Sequence, residues 1–428
     1  MKGHGGLSWR VALALMVIVL GLSGCGRGRA EPTPEPVTLR FAFRRGIADY
    51  EALVPPFQQT HPNITVELIS INPLRGGLKS IEGQDVDVLR WDQGYLTPER
   101  LDSVLPLDEL ILADEQFPRE DLFPGALRAL QYQGVQWGIP AGLDFAVAYY
   151  NAQRFEAFGV TPPTAEWTLD DFLAAALAIH NTEGSSSGAD FTYGFCSEPD
   201  SADPVFFAYL FGGRLFDRLP DPSRPTLDEP ANVEAVQWYT NLHLTYGVMP
   251  APEELRKYFP RGRKFEAIVR GKCGLWLGQY SDRDGRAWGF KWQNESIMLP
   301  LPHGRGTFNP VWVDGYYILA GSKHRREAWE WIRFLLGHQE AAGQMMPPLR
   351  SQVNSPEYAT RVGEHVAAIA RGLPSELIFV PANPDPLLED VIDLYIDAVE
   401  RVLREETDAE TALTEAQVRA EALFSSRE

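Results

Sequence analysis

Four short stretches set an aromatic ring beside a carboxylate: Trp91-Asp92, Asp144-Phe145, Tyr280-Ser281-Asp282 and Trp312-Val313-Asp314-Gly315-Tyr316. An aromatic face gives apolar contact area, and a carboxylate gives charge-assisted hydrogen bonds. Together they suit a sugar, which has C–H groups on its faces and hydroxyls at its edges. Each pair stands at the end of a strand-like run, where open α/β sheets bind ligands. The 11 Trp and 15 Tyr exceed what a core requires, which leaves rings to line a site.

Catalytic patterns are weaker. The eight histidines are scattered without metal-ligand spacing. No phosphate-cradling glycine loop follows a strand. Gly184-Ser185-Ser186-Ser187-Gly188 fits a nucleophile-elbow spelling, but a helical pattern precedes it and a polar stretch follows. Asp85 and Asp87 share one strand face, and Asp282 stands near Asp284. A lipid-anchored glycoside hydrolase using two cleft carboxylates therefore stays as the alternative reading. No metal or cofactor is expected.

The elements that must position these residues follow from patterning. The 428 residues exceed one ordinary core. Runs 37–43, 64–71 and 85–90 read as strands. A helical pattern over 49–60, interrupted by Pro55-Pro56, separates the first two. Strand, helix, strand at this spacing indicates an α/β lobe. The spacing predicts a helix over 118–133 and strands over 137–140, 145–151, 192–196, 273–278, 296–299 and 315–320. Thr168 caps a helix with Asp171 three residues on. Further helices are expected at 204–211, 231–246, 262–270, 324–336, 356–371, 387–405 and 409–424.

The formal charge of −19 favours solubility and argues against nucleic acid or an anionic lipid surface as the main partner. Three cysteines cannot make a disulfide scaffold. Cys196 and Cys273 lie in apolar strand-like runs and read as buried free thiols, with a bridge between them left open. Residues 1–24 read as a signal peptide: Lys2 and Arg10 are basic, and Val11–Leu20 is apolar but short for a span. Leu22-Ser23-Gly24-Cys25 resembles the bacterial lipobox, which implies lipidation of Cys25 and anchoring in a membrane. Residues 25–36, with Glu31-Pro-Thr-Pro-Glu-Pro36, would be an extended tether. Cleavage before Cys25 would bring the mature charge to about −21.

Ordered blocks beyond the tether carry a family resemblance. VTLRFAF, YEALVPPFQQTHPNITVELISI, DVDVLRWDQGYLTPERLDSVLPLDELI, GVQWGIPAGLDFAVAYYNAQRFEAFGVTPPTAEWTLDDFLAAA, IVRGKCGLWLGQY and WVDGYYILAGSKHRREAWEWIRFLL occur in the order seen in one group. The chain resembles the extracellular solute-binding proteins of ABC importers, in their maltose-binding-protein-like, carbohydrate-binding branch. The resemblance implies a two-lobed, type II periplasmic-binding-protein-like α/β fold with two or three hinge crossings, near 140–144, 296–300 and 335–345. The expected lobes are 37–141 plus 297–340, and 142–296 plus 341–428.

The resemblance also carries site residues. Trp91 and Asp92 match a loop that supplies polar ligands, and Asp144 and Phe145 the position after the crossover. Tyr280 matches a sugar-stacking aromatic, and Trp312, Asp314 and Gly315 the returning hinge-side segment. Arg44 ends the first strand, Arg350 stands in a loop that often reaches the cleft, and Glu198 follows FCS. The late helix 386–405 has no Trp where maltose binders stack a second ring, which argues against maltodextrin. The implied role is capture of a small polar solute, a sugar before all, and its delivery to ABC permease subunits. A monomer on the extracytoplasmic face of a bacterial membrane is expected, without catalysis. Arg44, Arg45 and Arg350 leave an anionic solute such as a glycerol phosphate open.

Overall fold

A thirteen-residue strand, β6 (Ile139–Asn151), is buried along its whole length and joins two halves of one sheet. Its first part, up to Phe145, pairs antiparallel with β10 (Pro310–Ile318). From Ala146 onward it pairs with β8 (Cys273–Gln279) and, from Ala148, with β9 (Ser296–Leu299) on its other edge. The alternation IPAGLDFAVAYYN serves both halves, because both of its faces are covered.

This computed structural model describes residues 35–44, 48, 50–72, 76–181, 191–198, 201–219, 222–259, 263–288, 292, 294–306, 310–373, 378–379 and 386–426. Cys25, the segment before it, most of the tether, Arg45 and the Gly184–Gly188 stretch lie outside the described residues. Thr38–Glu428 forms one compact unit.

The sheet has nine strands in the order β2-β1-β3-β10-β6-β8-β7, with β9 on β6 and β11 (Ile378–Phe379) on β10. β1 (Val37–Arg44) pairs parallel with β3 (Val88–Asp92), and β2 (Ile64–Ile71) lies outside them. β7 (Tyr193–Cys196) pairs parallel with β8. β10 returns antiparallel between β3 and β6. The architecture is mixed α/β, as the strand and helix patterns predict.

Three apolar clusters hold it. One gathers Leu39, Phe41, Phe57 and Ile64 of the first half with Trp331 and Ile332 of the helix Arg325–Leu336. A second covers one face of the second half, and the third covers its other face and runs on to Ala42, Leu89 and Tyr95 of the first half. Ala146 and Ala148 pack toward the helices Leu169–Ile179, Pro230–Leu244, Pro386–Leu403 and Ala409–Ser425. Phe145, Val147 and Tyr149 join Tyr280, Trp276 and Tyr358 on the other side. Each such side chain removed from water contributes about 1.5–3 kcal/mol.

Several expectations are corrected. Residues 118–133 form no continuous helix. Two short 3-10 turns, Arg119–Asp121 and Arg128–Leu130, lead into a hairpin of β4 (Gln131–Tyr132) and β5 (Val135–Gln136). Pro124-Gly125 breaks the run, with Gly125 at φ 91°, and the hairpin turns on Gln133 and Gly134, both at positive φ. The helix expected over 356–371 is two, Pro356–Val362 and Glu364–Arg371, split by Gly363 at φ 88°. Pro55-Pro56 does not interrupt a helix. It opens the helix Val54–Thr60, where absent N–H groups cost nothing. Cys196 and Cys273 are a disulfide rather than free thiols, with Cα atoms 5.6 Å apart. The bridge joins neighbouring strands, β7 and β8.

Candidate functional site

Register lines up the candidate groups of the first half. β10 sets Asp314 opposite Asp92 on β3 and opposite Gly142 on β6, and sets Trp312 opposite Asp144. Parallel pairing of β1 with β3 brings Arg44, at the end of β1, to the same edge. The Arg44 guanidinium lies 3.8 Å from Asp92 and 3.9 Å from Asp314. These are loose ion pairs. The Arg44 and Asp92 side chains keep 33% and 44% of their exposure, so both can still meet a solute.

Asp314 is anchored from below. Arg90 Nε donates to it at 3.1 Å, and the Arg90 Nη1 group donates to Tyr50 Oη and the Ala341 carbonyl, each at 2.6 Å. Burial and the neighbouring Asp314 carboxylate push the Asp92 pKa upward, while Arg44 pulls it back. Asp92 also accepts from the Gly94 N–H at 3.0 Å. Trp312 is half-buried and meets Phe206 edge-on, 6.0 Å between centroids. Trp91, also half-buried, pairs with Gly315 across the strands. Gly315 has a packing reason of its own, because a Cβ there would stand 2.7 Å from the Tyr317 ring. The cluster offers guanidinium donors, carboxylate acceptors and an indole within one strand-end edge.

Asp144, Phe145 and Tyr280 are placed differently. Asp144 is enclosed. Its carboxylate accepts from the Ser281 N–H at 2.9 Å, the Ser281 hydroxyl at 2.5 Å and the Phe145 N–H at 3.1 Å. Burial raises its pKa to about 7, against the pull of the Ser281 bonds. It fastens β6 to the turn that follows β8. Tyr280 has no exposed surface. Its ring stacks on the buried Phe145 at 4.8 Å, the Arg283 guanidinium covers it at 3.9 Å, and its hydroxyl meets that of Tyr358.

Glu198 is buried at the end of β7. It accepts from the Lys264 N–H and lies 3.4 Å from Arg263. Beside it, Asp203 binds Lys264 Nζ at 2.7 Å and the Ser197 hydroxyl at 2.6 Å. Arg350 donates to the Glu120 carbonyl, and Ser351 pairs with Asp121. The structure therefore joins Arg44, Asp92 and Asp314 into one cluster, sets Trp312 two residues before Asp314 on β10, and ties Arg350 to the 119–121 turn. Among the described residues no group of three or more His, Cys, Asp and Glu is arranged for a metal ion.

Arg90, Tyr50 and Phe206 were not singled out by sequence. Arg90 carried a usable signal, since a charge inside the apolar run DVDVLRW must find a buried partner.

Comparison with known proteins agrees with this architecture. Residues 44–342 match the family described as bacterial extracellular solute-binding protein. A putative binding protein of Brucella abortus is 22% identical over 411 residues, covering 89% of this chain and 93% of that one. An ABC substrate-binding protein of Listeria monocytogenes, solved in complex with cycloalternan, superposes with a TM-score of 0.72 at 19% identity, over 91% of this chain and all (100%) of that one. UgpB of Mycobacterium tuberculosis, solved with glycerophosphocholine, gives 0.68 at 17%, over 92% and 100%. The fold is thus the two-lobed type II binding-protein fold that the sequence blocks imply. These relatives are binding proteins, and none supports a glycoside hydrolase.

Proposed function

The chain belongs to the bacterial extracellular solute-binding proteins, and from that premise we propose that it captures a neutral sugar or polyol by lobe closure and hands it to an ABC permease. The observation that carries this reading is the Arg44–Asp92–Asp314 cluster beside Trp312. Its cation is matched by carboxylates on both sides, which suits hydroxyls better than a phosphate or a free carboxylate. The indole supplies the apolar face.

Closure follows from the division of β6. The turning point falls between Phe145 and Ala146, where pairing passes from β10 to β8. Groups of the first half, Arg44 and Asp92, and groups of the second half then approach a solute from two sides. A solute favours the closed state because only there are both sets of contacts made. The work is binding without turnover. Cys25 would be lipidated after cleavage of residues 1–24, holding the body on the extracytoplasmic face as a monomer.

Thermal shift and calorimetry across mono- and oligosaccharides, polyols and glycerophosphodiesters test the reading. One-to-one binding of a neutral polyhydroxy solute, without product, is expected. Tight binding of glycerophosphodiesters alone, or turnover, overturns it. Membrane fractionation of a Cys25→Ala variant tests the anchor.

A further inference from the structure

A cavity of about 400 Å³ shares no lining residue with the Arg44 cluster. It lies where β6 and β9 of the second half meet the segment Gly343-Gln344 and the helices Pro356–Val362 and Glu364–Arg371. Its polar lining is Arg283, Arg361, His365, Ser296, Gln344 and Tyr149. The Tyr149 hydroxyl is taken up by the Gln279 carbonyl at 2.7 Å, and His365 Nε2 meets the Met298 carbonyl at the same distance.

In a chain with 58 acidic and 39 basic residues, no carboxylate lines this cavity. Both guanidiniums are spent on uncharged carbonyls instead. Arg283 donates to the carbonyls of Tyr280 and Gln344, and Arg361 to that of Gly343 at 2.9 Å. The Arg361 guanidinium lies over the Tyr358 ring, 5.4 Å from its centroid, and its buried Nε and Nη2 groups meet no hydrogen-bond acceptor among the described residues. Burial, and repulsion from Arg283, lower its pKa. A buried donor without an acceptor is costly, and more so when it is charged. Two guanidiniums line one cavity, and one of them, Arg361, keeps donors without a hydrogen bond, a combination that suits an oxyanion.

We propose that this cavity binds a small oxyanion, a phosphate or carboxylate group, between Arg283 and Arg361, with His365 and Ser296 as further polar contacts. Val362, Val366 and Ile297 line the remaining wall, so the anion can carry a short apolar or neutral body. An anion seated there would also brace the Gly343-Gln344 segment, whose carbonyls the same two arginines hold. The site does not depend on the identity of the cleft solute.

Inorganic phosphate is the probe, titrated by calorimetry into the full soluble body at fixed ionic strength, with chloride as the control. The expected result is saturable one-site binding with a raised melting temperature. Affinity should fall at least tenfold in Arg361→Gln, fall less in Arg361→Lys and stay unchanged in Arg44→Ala. Circular dichroism and a cooperative melt establish that each variant is folded. If Arg361→Gln does not fold, His365→Ala and Arg361→Lys carry the comparison. Absence of saturable binding in the wild-type protein overturns the proposal. So does loss of binding in Arg44→Ala with retention in Arg361→Gln, which would place the anion at the other cluster.

Discussion

Arg90 and Asp314 form an ion pair between β3 and β10, 3.1 Å apart, with side-chain exposures of 0% and 4%. Such a pair gains little over a well-packed apolar one, but breaking it leaves a charge stranded. Arg90→Met strands Asp314 and removes the bonds to Tyr50 and Ala341. It should destabilise the fold by about 3–5 kcal/mol. Asp314→Asn keeps an acceptor for Arg90 and should cost less. Urea denaturation of both variants checks the order, and equal losses would argue against it.

The Cys196–Cys273 bridge closes a loop across a sequence separation of 77 between paired strands. By chain entropy a loop of that length is worth about 4–5 kcal/mol, with 2–5 usual in practice. Reduction, or Cys196→Ser with Cys273→Ser, should lower the melting temperature accordingly. Thiol titration of the unfolded, unreduced protein lacking residues 1–25 should find no free thiol.

Asp144 gives a pH dependence of definite sign. Its folded-state pKa, near 7, stands above the ordinary value of 3.8. Between those limits the folded protein binds a proton that the unfolded chain has released. This group's contribution to stability is therefore fully present below pH 4, falls through the interval and levels off above pH 7. Asp144→Asn removes that loss while keeping an oxygen for the Ser281 N–H. The stability of the variant relative to wild type should rise from pH 4 to 7, by no more than roughly 4 kcal/mol. A difference that stays flat over the range would contradict this account.

Sequence made the strands legible where alternation or apolar runs were long, as in VTLRFAFR and IPAGLDFAVAYYN. It placed Trp91-Asp92 at a strand end, where β3 does end, and Trp312–Asp314 just before a strand at 315–320, whereas β10 begins at Pro310 and runs through them; register then sets Asp314 opposite Asp92. Where it misread, short-range punctuation won. Pro124-Gly125 and Gly363 cut helical periods that hydrophobic spacing alone supports. Which face of a strand-end aromatic is free could not be read at all. Tyr280 and Trp312 look alike in sequence, yet Phe145 and Arg283 cover Tyr280, while Trp312 stays half-buried with Phe206 edge-on to it. The rings they meet, Phe145 and Phe206, lie more than 100 positions away in the chain.

Tyr280 and Trp312 therefore separate by experiment. Tyr280→Ala opens a cavity under Phe145 and Tyr358, so its main effect should be on stability, about 3–5 kcal/mol. Tyr280→Phe, which keeps the stack and loses only the hydroxyl, should leave solute affinity within about twofold, a few tenths of a kcal/mol.

Trp312→Ala should do the reverse. Half-buried and set edge-on to Phe206, it stands two residues before Asp314 on β10. Its loss removes stacking area against a bound sugar while the strand pairs of β10 persist. The expected cost is about 1–3 kcal/mol of binding, roughly 5- to 150-fold in Kd, with a small change in melting temperature of the free protein. Arg44→Ala should weaken the same ligand and also lower the Asp92 carboxylate's preference for its charged form, since burial and the Asp314 charge then act without the pull of Arg44. The affinity of that variant should fall more steeply than wild type as the pH is lowered from neutral. Calorimetry over a pH series with the sugar found by screening decides it. Unchanged affinity in both variants would move the solute away from this edge of the sheet.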